Sequence, residues 1–381
     1  MDFAFTEEQD LLRDTLAGYL RDHYDFETRR KIVSGEPGWR PEVWRALAQD
    51  LNIFGAAFPE ALGGLGGNAI EHSVVMEEFG KALVVEPYLG TLVIGGGLLK
   101  HTGGALAAEF VPQIIAGEAV LAWAGSEPQA RYNAADLLTT AKAQGGDLIL
   151  SGRKSQVVGA AWATHYIVSA RSAGAQGDRD GVTLLLVDAN AAGIRRQDYP
   201  TIDGGRASEI WFDQVKVPAS RVIGKAGAAL PLIEQVSDEA ICALCAEAVG
   251  AMRRMLAETV GYASQRKQFG TPLATFQVLQ HRMADMYVAL EQSIALTQVA
   301  TMKLDGPATQ RALAASAAKA QIGNAAKFIG QAAVQIHGGM GITEELSLGH
   351  YFRRTTAIAS QFGSVDHHLR RYAELSLAAA A

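Results

Sequence analysis

The chain has 381 residues, 49% of them apolar and 19% charged, with a formal net charge of -6. That length suits two or three domains with sizeable cores, and the balance is that of an ordinary globular protein. The mild negative charge argues against nucleic-acid binding, which needs dense neutralisation of phosphate.

The opening residues MDFAFTEEQD carry acids early, no basic region and no long apolar run. Neither a secretory signal nor a membrane-spanning helix is expected, so the reading is a cytoplasmic protein with no membrane partner. Residues 1–118 read as a helical domain. Thr6 with Glu8 and Gln9 marks a helix start, and Leu11, Leu12, Leu16 and Leu20 recur at helical spacing. Trp44, Leu47 and Leu51 continue that period. The turn Gly63-Gly64-Leu65-Gly66-Gly67 interrupts it, and a further helix is expected from Val74 to Ala82.

Residues 119–227 change character. The runs 147–151, 165–170, 182–187 and 209–212 are short, apolar and bounded by Gly, Asp and Asn. They predict strands of an antiparallel sheet or barrel, because the spacing leaves no room for crossover helices. Residues 228–381 return to long helical patterns rich in Ala, Leu, Met and Gln. The order helices, strands, helices defines an α+β fold with a β domain between helical ones. No glycine-rich phosphate loop joins a strand to a helix, since Gly338-Gly339-Met340-Gly341 falls late in the helical zone. Cys242 and Cys245 lie three apart in an apolar helical pattern with no second pair to complete a tetrahedral site. Both read as buried, inert thiols, and no metal is expected.

One helical stretch is unusual chemically. From Ala240 to Met252, AICALCAEAVGAM, the only ionisable carboxylate is Glu247. A buried carboxylate must be paired or shift its pKa, and that is the device by which enzymes build a general base near neutral pH. The alternatives are an exposed stripe, or pairing with a local arginine such as Arg253 or Arg254. Arg266-Lys267-Gln268-Phe269-Gly270 offers a planar cation near a helix end, suited to phosphate oxygens or to plain solvation. Gln335-Ile336-His337-Gly338-Gly339 is either a close-approach backbone for a ligand or a helix cap. His337, His367 and His368 read as packing or surface residues.

Taken together, RKQFG, then QIHGGMGIT about seventy residues later, then YFRR and QFGS resemble the acyl-CoA dehydrogenase family. The resemblance extends over LNIFGAAFPEALGGLGG, Trp123-Ala124-Gly125-Ser126-Glu127-Pro128, Gly152-Arg153-Lys154 and Phe212 to Pro218 with Gly224, and so covers nearly the whole chain. More narrowly, the RYN and LCAEAVGAM segments resemble small subunits of pimeloyl-CoA dehydrogenases and bacterial two-subunit steroid-CoA dehydrogenases. The resemblance implies an N-terminal helical domain, a middle antiparallel β domain and a C-terminal four-helix bundle.

It also implies FAD as cofactor, an acyl-CoA substrate, an electron-transferring flavoprotein as acceptor, and a homotetramer or an α2β2 assembly with a related subunit. Trp123, Ala124 and Ser126 would line the flavin, with Val157 and Val158 against its ring system and Val158 standing where a hydroxyl is usual. Arg266, Phe269, Gln335, Gly338 and Gly339 would serve a neighbouring protomer's FAD, and Ser364 would meet the flavin. Arg131 and Phe362 fall in segments that meet the substrate, Arg131 as a cation for a distal carboxylate. Two positions depart from the family. Phe362 stands where many members carry the catalytic glutamate, and Ala240 where others do. Glu247 lies seven residues after Ala240, about 700° on and so on the same helix face, roughly 10.5 Å along the axis. It is therefore the expected base for α-proton abstraction, with β-hydride transfer to flavin giving a 2,3-enoyl-CoA. Alternatives are a subunit completed by a partner chain, or an oxidase, monooxygenase or desulfinase on the same fold.

Overall fold

A computed structural model describes residues 4–380. Its helices are α1 Glu7–His23, α2 Phe26–Ser34, α3 Pro41–Arg45, α4 Ala69–Ala82, α5 Gly96–Thr102 and α6 Gly104–Ile115. Strands follow as β1 Leu121–Ala124, β2 Thr140–Gln144, β3 Asp147–Val158, β4 His165–Arg171, β5 Val182–Asp188, β6 Ile194–Pro200, β7 Arg206–Pro218 and β8 Val222–Ile223. Then come α7 Leu230–Gln265, a small hairpin of β9 Lys267–Gln268 and β10 Thr271–Pro272, α8 Gln277–Met302, α9 Ala308–His337, α10 Ser347–Ser360 and α11 Val365–Ala380. No helix among the described residues is long and apolar enough to cross a membrane.

The chain gathers into two compact units. One comprises residues 4–31, Ala69–Val84 and 241–380, and the other Ile32–Asn68 and Val85–Ala240. In the helical unit, α1 opens with the expected cap. Thr6 Oγ1 accepts from the Gln9 N–H at 3.3 Å, and Gln9 Oε1 accepts from the Thr6 N–H at 3.1 Å, a reciprocal capping box. α9 lies at the centre, against α8, α10 and α11. Its small residues permit that: a Cβ on Gly330 would meet Phe352 at 2.2 Å, and one on Gly323 would meet Val365 at 2.5 Å.

The second unit is built on a sheet of order β6-β7-β3-β2-β4-β5-β8, with β1 beside β4. Ala122, Leu150, Tyr166, Val168, Leu185, Ile210, Phe212 and Val215 form its core. β4 and β5 are buried almost throughout, which is why they read as unbroken apolar runs. Most ladders are antiparallel, as expected, but β1 pairs with β4 in parallel, Leu121 against His165. The long excursion through β2 and β3 between them supplies the connection a parallel pair needs. β6 has no apolar alternation because it is a charged edge strand, Ile194-Arg195-Arg196-Gln197-Asp198, of which 195–198 are exposed.

Candidate active site

Glu247 is buried, 2% exposed, near the middle of α7. Its carboxylate meets the guanidinium of Arg354, on α10, in a two-pronged pair: Nε donates to Oε1 at 2.5 Å and Nη2 to Oε2 at 2.7 Å. Local pairing is not what the fold uses. Arg253 lies 2.9 Å from Glu77, and Arg254 pairs with Glu258 at 3.2 Å. Fork-to-fork pairing fixes both the position and the plane of the carboxylate. Periodicity around Glu247 carries no trace of Arg354, since 107 residues separate the two.

The backbone here is set by glycines. A Cβ on Gly80 of α4 would lie 1.9 Å from the Glu247 carbonyl oxygen, and one on Gly250 would lie 2.0 Å from the Glu77 carbonyl oxygen. These reciprocal contacts bring α4 and α7 to backbone distance. A cavity of about 80 Å³ with a mixed polar and apolar lining lies among α1, α4, α7 and α8; Ala246 and Val249 line it, and Glu247 does not.

The turn after α10 holds Phe362, with Gly363 and Ser364. Phe362 is in the left-handed region at φ 55 and Gly363 is at φ 127. The Ser364 hydroxyl accepts from the His367 N–H at 3.3 Å, capping α11. Gln361 Oε1 is buried with no hydrogen-bond partner among the described residues, an acceptor that a ligand donor would satisfy. His368 is fully buried and His337 stacks on Tyr262 at 4.3 Å, so both pack inside the unit. Cys242 and Cys245 are buried thiols, and burial pushes Cys245 up to about 12.

At the α7 to α8 connection, Arg266 and Phe269 are exposed, Phe269 to 94% and at φ 54. The Phe269 ring meets Phe276 edge-on, with ring centroids 6.2 Å apart. Gln335 is also exposed. Gly338 closes α9 at φ 62, and neither Gly338 nor Gly339 has an atom within 4 Å of a built Cβ, so the backbone there is open to close approach.

In the β unit, Trp123 and Ala124 end β1. A Cβ on Gly125 would fall 2.1 Å from the Trp123 ring, so only glycine lets the ring fold over this bend. Ser126 is exposed, and its carbonyl accepts from the Ser155 N–H at 3.0 Å, tying the segment to β3. Beneath it lies a pair that the sequence reading missed. Lys154 and Glu127, 0% and 4% exposed, meet at 2.7 Å. Glu127 also accepts from the Leu138 N–H at 2.7 Å and the Thr139 N–H at 3.1 Å. Burial lowers Lys154 to about 8 against the pull of Glu127. Burial opposes ionisation of Glu127, but the Lys154 ammonium and these donors hold it below its ordinary value. A bulge follows Lys154, with Gln156 at φ 53, and beyond it Val157 is buried while Val158 is 52% exposed. Arg131 is exposed at φ 50, in a loop where no carboxylate among the described residues pairs with it.

The fold and these segments define an acyl-CoA dehydrogenase. Family models described as acyl-CoA dehydrogenase N-terminal, middle and C-terminal domains match residues 6–118, 122–215 and 234–376. The chain is 30% identical to acyl-CoA dehydrogenase IpdE2 of Mycolicibacterium smegmatis, over 96% of this chain and 98% of that protein. Among solved structures it resembles the ChsE4-ChsE5 complex of Mycobacterium tuberculosis, with 25% identity and a TM-score of 0.89 over 99% of both chains. It also resembles butyryl-CoA dehydrogenase of Megasphaera elsdenii, with 25% identity and a TM-score of 0.92 over 99% of this chain and 100% of that one. The chain therefore belongs to the acyl-CoA dehydrogenase family of flavoprotein oxidoreductases.

Proposed function

We propose that this protein is an FAD-dependent acyl-CoA dehydrogenase that forms a 2,3-enoyl-CoA with Glu247 as its base. The observation that carries the reading is the buried Glu247 carboxylate, held by Arg354 on the helix face it shares with Ala240, in a chain whose turn offers Phe362 instead of an acid. The two-pronged pair fixes the position and plane of the Glu247 carboxylate, as a group that must receive a proton at a set place requires. Glu247 takes the substrate's Cα proton, and the freed electron pair forms the double bond as hydride leaves Cβ. The backbone N–H of Phe362 polarises the thioester carbonyl, which acidifies Cα. When bound, FAD supplies the acceptor for that hydride.

The residues present fit a flavin nucleotide. In the β unit, half-buried Trp123 with exposed Ser126 and Val158 present a partly apolar surface, backed by buried Ala124 and Val157. In the helical unit, Ser364 follows three residues after Gln361, whose buried Oε1 is unsatisfied. Arg266, exposed Phe269, Gln335 and the open Gly338-Gly339 backbone suit a dinucleotide of a neighbouring protomer. To Arg131, an exposed loop cation, we assign the distal carboxylate of a dicarboxylic acyl group. An electron-transferring flavoprotein fits as electron acceptor; a relative of Acetobacterium woodii, 28% identical over 359 residues, is named a subunit of a caffeyl-CoA reductase-Etf complex. We place the domain limits at 1–118, 119–227 and 228–381 and the enzyme in the cytoplasm.

A second reading keeps the fold and adds a partner chain, because one similar structure, the ChsE4-ChsE5 complex, has two components. One experiment separates the two. The chain is purified alone, and its visible spectrum is recorded anaerobically with a panel of acyl-CoAs. Yellow protein bleached by a thioester supports the self-sufficient dehydrogenase; colourless protein points to the two-component assembly. Glu247→Gln should keep FAD and lose bleaching by at least about a thousandfold in rate. Bleaching at the wild-type rate would remove Glu247 from the mechanism.

A further inference from the structure

Lys319 of α9 is 1% exposed, and among the described residues its ammonium is held by carbonyls, without a carboxylate. It donates to the Ala359 carbonyl at 3.2 Å, in the last turn of α10, and to the Gly363 carbonyl at 3.0 Å. His368 of α11 is fully buried, with Nε2 3.0 Å from the Phe362 carbonyl and Nδ1 3.4 Å from the Ser316 hydroxyl. For Nε2 to donate to that carbonyl in a neutral ring, Nδ1 must accept the Ser316 hydroxyl proton. Gln361 completes the frame on the other side, its N–H donating to the Ala357 and Ile358 carbonyls at 3.2 Å each.

The Phe362 N–H thus sits between two anchored points: the Gln361 peptide before it and the Phe362 carbonyl after it. The residue is at φ 55, a conformation that costs about a kilocalorie or more and persists only when its surroundings enforce it. Gly363 allows the imidazoles to close on the turn, because a Cβ there would lie 2.5 Å from His368 Nε2 and 2.6 Å from His367 Cδ2. A buried lysine without a counter-ion is costly, so its hydrogen bonds to the Ala359 and Gly363 carbonyls are what offset its lost hydration.

We propose that Lys319 and His368 are positioning residues for this reaction: they hold the 361–364 turn so that the Phe362 N–H points at the thioester carbonyl. The proposal rests on the dehydrogenase reading given above. Neither residue touches substrate; each acts through the carbonyls it binds. Burial keeps the His368 ring neutral, with its pKa lowered to about 3, and brings Lys319 down to about 8, so the frame holds its hydrogen-bonding state through neutral pH.

The test uses the FAD-loaded protein and a chromophoric product analogue, para-dimethylaminocinnamoyl-CoA, whose absorbance shifts to the red as its carbonyl is polarised. Variants are Lys319→Met, Lys319→Gln, Lys319→Ala, His368→Leu and His368→Gln, each checked for FAD content and melting. We expect wild type to shift the band and Lys319→Met and His368→Leu to lose most of the shift. Their kcat should fall about a hundredfold, the scale of a roughly 1 Å misplacement, with KM changed less than about threefold. His368→Gln, which keeps a donor near Nε2, should recover much of both. Folded, FAD-bound Met and Leu variants with the full red shift would overturn the proposal and leave the dehydrogenase reading intact. A wild type that binds the analogue without any red shift would sink the role of the turn itself, and the proposal with it. Lys319→Gln, which keeps an N–H donor, should likewise recover part of both; should the Met and Leu variants fail to fold, Lys319→Ala decides, because it removes the donor outright, and a normal red shift and kcat there overturns the proposal.

Discussion

At the scale of single residues, the site turns on one buried carboxylate and the cation that meets it. Removing one partner of a buried pair leaves an uncompensated charge, which typically costs about 3–5 kcal/mol. Arg354→Met should therefore lower unfolding stability by about that amount, because Glu247 is 2% exposed and has no solvent to turn to. The double variant Glu247→Gln with Arg354→Met should regain most of the loss, since no charge is then stranded. Urea unfolding of both variants checks this; equal losses in the single and double variants would mean that the pair is not what holds the two helices. Val158 carries a smaller prediction. It is 52% exposed on β3, so Val158→Thr should leave stability within about 0.5 kcal/mol. A hydroxyl that finds the flavin should slow FAD release by up to about tenfold, in line with one net hydrogen bond, as read by FAD fluorescence on dilution.

At the scale of elements, α4 and α7 approach to backbone distance at Gly80 and Gly250. Each alanine there must displace a carbonyl, not the end of a flexible side chain, so Gly80→Ala and Gly250→Ala should each lower stability by about 1–3 kcal/mol or more. Gly261 lies in the same α7 and has nothing within 4 Å of a built Cβ. Gly261→Ala should therefore raise stability by about 0.5–1 kcal/mol through helix propensity. Thermal unfolding of the three variants side by side reads the contrast, and destabilisation by all three alike would contradict it. Elements also show where sequence reading succeeds. α1 was legible to its cap, because Thr6 and Gln9 are three residues apart and the capping box is local. β6 was not, because a charged edge strand lacks the alternation that marks one buried face.

At the scale of the molecule, buried titratable groups make stability depend on pH. The folded-state pKa of His368 is about 3, below its ordinary 6.5, so between those values the unfolded chain binds more protons and stability rises with pH. The same sign holds for Lys319, lowered from 10.5 to about 8, over the range from 8 to 10.5. Wild type minus Lys319→Met, measured by chemical denaturation at pH values from about 7 to about 10.5, should show stability increasing by a few kcal/mol across that range, since each tenfold loss of proton affinity on folding is worth about 1.4 kcal/mol. A flat difference would show that Lys319 keeps its ordinary affinity for protons in the folded protein. The Lys319 ammonium, and then His367 and Arg371 on the same helix α11, add to burial in keeping the imidazole uncharged.

By itself the sequence determined the α+β order of the elements, the family, and Glu247 as the one carboxylate in an apolar helical stretch. Each of these follows from local pattern: periodicity, composition over a window, and motifs a few residues long. Three pairings were decided only by the tertiary structure. Arg354 lies 107 residues from Glu247, Lys154 lies 27 from Glu127, and Lys319 lies 44 from the Gly363 carbonyl it holds. A cation reads in sequence as a solvated surface charge, and only close packing of distant helices and strands removes its water and obliges it to find a particular oxygen. The buried carboxylate could thus be found along the chain, whereas the groups that hold it and the 361–364 turn exist only once the helices have met.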